Sequence, residues 1–329
     1  MYLGTQFAAR TDSDYETFKQ LGVNNINGFP DVSHQNWTVE NLVQYREKVE
    51  SYGITLDMVQ LPLSSADIDT RVKNGEFYNI LTGTSPERDY EIERICKIIS
   101  MCSKAGIPAV KYNLNIIGIP RTESEFGRGG AKLSTFRWDK ADHNDKDTYA
   151  GKVSEDVFWE RIDYFLERVV PVAEESKVRL ACHPHDPYTP PGYKGVTRVL
   201  GTVEGLKKFI SIRENKYHGL NFCQGTITEM MDNPGEEIFD VIRYFGKINK
   251  IFNVHFRNIK GNKLSFTEVF PDEGSINMYE AIKVYKEVDY PYMLMPDHVP
   301  EINAKDPKMT AFSYCYGYIN ALLQTLKTD

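Results

Sequence analysis

Residues 219–256 read GLNFCQGTITEMMDNPGEEIFDVIRYFGKINKIFNVHF. The segment holds a short β-rich run at Gly219 to Phe222, an amphipathic stretch at Glu236 to Phe245 and a second β-rich run at Ile251 to Phe256. Short apolar runs alternating with longer amphipathic ones are the pattern of βα units around a parallel sheet. Working outward, the same alternation accounts for the whole chain. Further strands are expected at Tyr2 to Phe7, Asn24 to Gly28, Thr55 to Gln60, Ala109 to Asn113, Val178 to Cys182 and Tyr292 to Met295. Helices are expected near Asp14 to Leu21, Val39 to Tyr52, Asp89 to Ala105, Ser154 to Lys177, Val203 to Ser211, Met278 to Val288 and Phe312 to Lys327. Thr38 reads as an N-cap, and Gly22, Gly53 and Gly106 each follow a helical run where a left-handed residue ends a helix. Eight βα units without a linker or composition shift predict a single (β/α)8 TIM-barrel domain over residues 1–329, with an open doubly wound sheet as the structural alternative. One segment, residues 114–151, breaks the rhythm with a long insertion after strand 4. In a barrel it falls on the C-terminal face, where it would cover an active site or contact another subunit. Its charged half, around residues 139–147, reads equally well as a solvated loop.

The composition narrows the function. With 39 Lys+Arg against 46 Asp+Glu, a formal net charge of -7 and no basic run, the chain is a poor nucleic-acid binder. It has no apolar stretch long enough to span a membrane and no secretory n- and h-region, so a cytoplasmic protein is expected. Its five cysteines are odd in number and without a CxxC pair, which suits a reducing compartment rather than a disulfide scaffold.

Four potential metal ligands stand at four successive strand ends: His183, Cys223, His255 and Asp297. Taken singly, each has an ordinary reading as a hydrogen-bonded histidine, a small buried hydrophobe or a turn residue. Their shared position favours one site, because the C-terminal ends of barrel strands converge on a single opening. Two imidazoles, a thiolate and a carboxylate make a donor set for a divalent transition metal.

The segments Ala181-Cys182-His183-Pro184-His185-Asp186-Pro187, Gly219-Leu220-Asn221-Phe222-Cys223-Gln224-Gly225-Thr226, Val254-His255-Phe256-Arg257-Asn258 and Pro296-Asp297-His298 resemble the motifs of the mannonate dehydratase family. Weaker similarity lies at Tyr112-Asn113, Phe136-Arg137-Trp138-Asp139, Glu268 and Glu273-Gly274-Ser275-Ile276-Asn277-Met278, so the resemblance covers roughly residues 110 to 300. It implies a xylose-isomerase-like barrel that binds Mn2+ or a similar ion and dehydrates D-mannonate to 2-keto-3-deoxy-D-gluconate. Carried over by motif, the ligands are His183, Cys223, His255 and Asp297. A thiolate donor suits Fe2+ or Zn2+ as well, and the resemblance favours Mn2+. Three positions depart from the family pattern: Met295 replaces an Arg before Pro-Asp-His, Val299 a Gly after it, and His185 an Asp.

Dehydration of a sugar acid needs groups that move protons, for which Asp297, His298 and His185 are the candidates, with Asp186 and Tyr112 behind them. The substrate's carboxylate and hydroxyls would meet Arg257, two residues beyond His255 and so on its face if the strand continues, and Lys111, Arg137, Asn113, Asn221 and Gln224. Cys96, Cys102, Cys182 and Cys315 are read as packing residues. The partner expected is a small sugar acid, with neither nucleic acid nor membrane, in a homo-oligomer. A sugar or uronate isomerase or epimerase on the same metal site is the alternative reaction, and a non-catalytic sugar-binding relative the third reading.

Overall fold

A computed structural model describes residues 1–144 and 146–327; Asp145, within the insertion, and the final two residues lie outside it. Eight parallel strands close into a barrel: β1 (Tyr2–Thr5), β2 (Asn25–Gly28), β3 (Thr55–Gln60), β4 (Ala109–Asn113), β5 (Arg179–His183), β6 (His218–Cys223), β7 (Ile251–His255) and β8 (Met293–Met295). Neighbours in sequence are neighbours in space, and β8 pairs with β1 to close the ring. The eight strands read from the sequence are these eight, with ends displaced by one or two residues. The outer helices are α1 (Asp12–Gln20), α2 (Val39–Ser51), α3 (Glu87–Lys104), α4 (Glu155–Ser176), α5 (Val203–Ser211), α6 (Pro234–Lys247), α7 (Met278–Glu287) and α8 (Pro307–Thr325).

Local chemistry sets the ends of these elements. The Thr38 hydroxyl accepts from the Asn41 amide, and the Asn41 side chain answers by accepting from the Thr38 amide. Gly22, Gly53 and Gly106 take φ of 79°, 70° and 76°, a region costly for a residue with a Cβ. Short helices at Ile68–Asn74, Asn79–Thr82 and Gln224–Thr228 are additions to the sequence reading, and α8 begins at Pro307, ahead of the expected Phe312.

Side chains alternate between the barrel interior and the helical layer. Outward residues such as Tyr112, Leu180, Cys182, Leu220, Val254 and Leu294 pack with the helices in the main core, while Met58, Ala109, Ala181, Phe252, Met293 and Met295 form a small separate cluster inside the ring. A register shift between Ile251 and Asn253 in β7 interrupts the alternation, and both Phe252 and Asn253 turn inward. Gly219 makes room for this: a Cβ there would sit 2.5 Å from the Phe252 ring.

The insertion is structured. Glu125–Phe126 and Lys132–Leu133 form a two-stranded hairpin, and Lys132 pairs with Glu301 beyond β8. Thr135–Arg137 pairs with Ser265–Val269, which pairs with Asn258–Asn262, giving a three-stranded antiparallel sheet at the C-terminal end of the barrel. No helix among the described residues is long and apolar enough to cross a membrane.

Candidate active site

The strand register brings the four candidate ligands together. Cys223 and His255 are paired across β6 and β7, His255 is paired with Met295 of β8, and Asp297 follows two residues later. His183 ends β5. One donor atom from each of His183, Cys223, His255 and Asp297 lies within 4.8 Å of the others, and His183 and Asp297 line a cavity of about 740 Å³ at the C-terminal end of the ring.

The donors are prepared for a cation. His183 donates from Nδ1 to the Pro184 carbonyl at 2.7 Å, which leaves the lone pair on Nε2. His255 Nδ1 lies 3.3 Å from Asp297 Oδ2 and is buried without a hydrogen-bond partner, while Nε2 contacts the Asn221 amide at 3.3 Å. Burial lowers His183 to about 3 and His255 to about 4, so both rings are neutral at pH 7. Burial also pushes the Cys223 thiol up to about 12, so its thiolate requires a cation in place of the proton. The Thr226 amide and hydroxyl point at Cys223 Sγ from 3.4 and 3.1 Å. A divalent metal fits this donor set.

Beside the donors lies a cage of buried ions. Arg257 places Nη1 2.8 Å from Glu229 and 2.9 Å from Glu268, and Nη2 3.0 Å from Asp186 and from the Thr226 hydroxyl. Arg121, from the insertion, reaches Asp186 at 2.6 Å and also pairs with Glu268. Burial opposes charge on Asp186 and Glu268, yet the two guanidiniums hold both carboxyls below their ordinary range. Glu229 goes the other way: burial, reinforced by Asp186, raises it well above the ordinary value. Gly225 lets Arg257 pass, because a Cβ there would lie 2.6 Å from Nε. The Cys-Gln-Gly-Thr and His-Phe-Arg-Asn segments are thus one packing unit.

His298 lines the cavity and donates from Nδ1 to both Glu268 oxygens, at 3.0 and 2.9 Å. Burial works against its proton, but the Asp297 and Glu268 carboxylates outweigh burial and push it up to about 9. Its Nε2 lies 4.0 Å from Asp297 Oδ2. Lys111 and Asn113 line the cavity from β4; Lys111 Nζ donates to Gln6 Oε1 at 2.7 Å, and Gln6 in turn donates to Asp297 Oδ1. Burial lowers the Lys111 ammonium from its usual range, against the pull of Asp297 and Cys223.

Other expected site residues are engaged within the protein. His185 is buried, with Nδ1 accepting from the Leu200 amide, Nε2 donating to the Leu114 carbonyl and its ring stacked on Phe158, so neither nitrogen faces the cavity. Arg257 does reach the candidate ligands, with Nε 3.5 Å from Asp297 Oδ2 and Nη2 3.5 Å from Cys223 Sγ, but its shorter contacts commit it to the cage. Asn221 faces inward beneath the donors, bonded to Asn253 and His255. Gln224 holds the Arg257 carbonyl and the Tyr285 hydroxyl. Arg137 pairs with Glu125 on the outer sheet, at a different cavity. The sequence reading missed Arg121, Glu229 and Gln6; Asp186 and Glu268 were noticed without a role in an ion cage.

Residues 131–327, more than half of the chain, match the family D-mannonate dehydratase (UxuA). The chain belongs to the D-mannonate dehydratase family. It is 29% identical over 298 residues to the mannonate dehydratase of Thermotoga maritima, covering 80% of this chain and 78% of that protein. It is 27% identical over 290 residues to that of Streptococcus agalactiae, again covering 80% of this chain and 78% of the other. Among solved structures, mannonate dehydratase from Streptococcus suis serotype 2 superposes with a TM-score of 0.79 at 24% identity, covering 98% of this chain and 93% of that one. A xylose isomerase domain protein from Planctomyces limnophilus shares the barrel at a TM-score of 0.63 and 13% identity, covering 99% and 98%.

Proposed function

We propose that this member of the D-mannonate dehydratase family is a hydro-lyase that converts D-mannonate to 2-keto-3-deoxy-D-gluconate and water. The observation that carries the reading is the convergence of His183, Cys223, His255 and Asp297 within 4.8 Å of one another, with His183 and Asp297 lining the cavity. These four would hold a divalent metal, with Mn2+ proposed and the thiolate also compatible with Fe2+ or Zn2+. When bound, the ion supplies a Lewis acid that makes the proton α to the carboxylate more acidic and stabilises the negative charge that develops.

The protein's own groups then move the protons. His298, held by Glu268 and carrying a proton at neutral pH, is proposed to deliver it to the departing C3 hydroxyl. Asp297, its neighbour across 4.0 Å, is proposed to receive the C2 proton, and return of that proton to His298 resets the site. His185 drops out of the proposal because both its nitrogens are occupied by backbone groups. Asn113, with Gln60 and Ser64 on the same wall, is proposed to meet the sugar hydroxyls. The whole of residues 1–329 is proposed to act as one barrel unit covered by the 114–151 insertion, as a homo-oligomer, in the cytoplasm, where its free cysteines suit a reducing environment.

The test is a mass-spectrometric product assay in D2O with Mn2+-loaded protein, a panel of hexonates and hexuronates including D-mannonate, and an EDTA control. Loss of one water from D-mannonate, abolished by EDTA, is expected. Deuterium uptake without loss of water would replace the dehydratase with an isomerase or epimerase.

A further inference from the structure

We propose that Lys111 takes the substrate's carboxylate and so selects a sugar acid over a neutral sugar. The inference rests on the dehydratase reading above and adds the direction in which the acid lies.

The cations around the cavity fall into three kinds. Arg121, Arg257 and His298 are each held against protein carboxylates, so their charge is spent before a ligand arrives. Lys308 stands exposed at the rim, its ammonium 5.2 Å from the Phe7 ring centre. Lys111 is different. It is only 7% exposed and lines the cavity, and its one hydrogen-bond partner among the described residues is the neutral amide oxygen of Gln6. An ammonium has three donors, and one of them is used. A buried cation in contact with a neutral amide rather than a carboxylate bears a desolvation cost that a bound anion would offset.

The surroundings fit an anion of small size. Lys111 faces inward with Ala109 below it on the same strand and Ala181 beside it in register, so small side chains accommodate its stem. Gln6 bridges the amine to Asp297, accepting from Nζ and donating to Oδ1. A carboxylate held by Lys111 therefore lies one amide away from the donor cluster, with its α-carbon toward Asp297 and His298.

Lys111→Met keeps the stem and removes the charge. In the Mn2+-loaded enzyme, KM for D-mannonate should rise about 10- to 100-fold, the loss expected for one charged hydrogen bond, with kcat falling far less. Metal content and inhibition by the neutral polyol D-mannitol should not change, and Lys111→Arg should recover part of the affinity. An unchanged KM would overturn the proposal, as would a collapse of kcat at constant KM, which would make Lys111 a proton carrier. Should Lys111→Met fail to fold, the wild-type enzyme must still prefer an aldonate to the corresponding aldonamide at least tenfold; equal binding would refute the anchor. If the wild type does not dehydrate D-mannonate, the dehydratase reading falls separately, and calorimetry with D-gluconate and D-mannitol still decides: an acid preference that disappears in Lys111→Met supports the anchor, and one that persists removes it.

Discussion

The two halves of the barrel mouth divide the work unequally. The tips of β5 to β8 contribute His183, Cys223, His255 and Asp297, every one a candidate metal donor. The side of the cavity built on β1 to β4 contributes Gln6, Gln60, Lys111 and Asn113, three amides and one amine. The donor half is also the one packed against the ion cage of Arg121, Arg257, Asp186, Glu229 and Glu268, whereas the amide half has no such support among the described residues. The difference teaches where rigidity is needed. A donor set must be held to a few tenths of an ångström, and buried ion pairs hold it, while recognition of a polyol is spread over single hydrogen bonds.

The sharpest way to break the contrast is to remove a donor. Cys223→Ala or His255→Ala should lose bound metal, read by elemental analysis, together with activity by at least about a thousandfold. Cys182→Ala, whose thiol faces the helices, should keep both. Full metal occupancy in either donor variant would dismiss the donor assignment.

Next comes the cage. Arg257→Met removes one of the two guanidiniums that Asp186 and Glu268 share, and breaking buried pairs costs about 3–5 kcal/mol, measurable by urea unfolding. A loss below about 1 kcal/mol would mean that the cage does not stiffen this half. On the other side, Asn113→Ala removes one hydrogen-bonding amide, so KM for D-mannonate should rise only about three- to tenfold with metal content intact. Coincident loss of metal would erase the division between the halves.

The smallest effect is expected at Glu229. Its raised proton affinity means that its stabilising contribution is present in full below the ordinary Glu range near 4.5 and is lost as pH rises through the higher folded value. Glu229→Gln mimics the protonated form, so it should leave stability at neutral pH within about 0.5 kcal/mol and flatten the decline toward alkaline pH. A large destabilisation at neutral pH would show that Glu229 is charged and belongs with Asp186 and Glu268.

Arg257 and His185 show where linear reading stops. Both lie two residues from a ligand, and both would share its face if the strand continued. β7 ends at His255 and β5 at His183, so the alternation has no force at either position. Arg121 lies in an insertion without periodicity, and its role comes from a sheet joining Thr135–Arg137 to Ser265–Val269, partners more than 120 residues apart. Gly225 offered a signal in the sequence, though its reason, the passage of Arg257, is visible only in space.

What this sequence determined alone is the barrel and the convergence of its four candidate donors. Hydrophobic period and helix-ending glycines are local properties, and eight repetitions converge on one ring whose strand ends meet. What only the tertiary structure decided is which charges are spent and which are free. Pairing is set by distances between residues remote in the chain, so the guanidinium of Arg257 is neutralised by Asp186 and Glu268 while the amine of Lys111 meets, among the described residues, an amide.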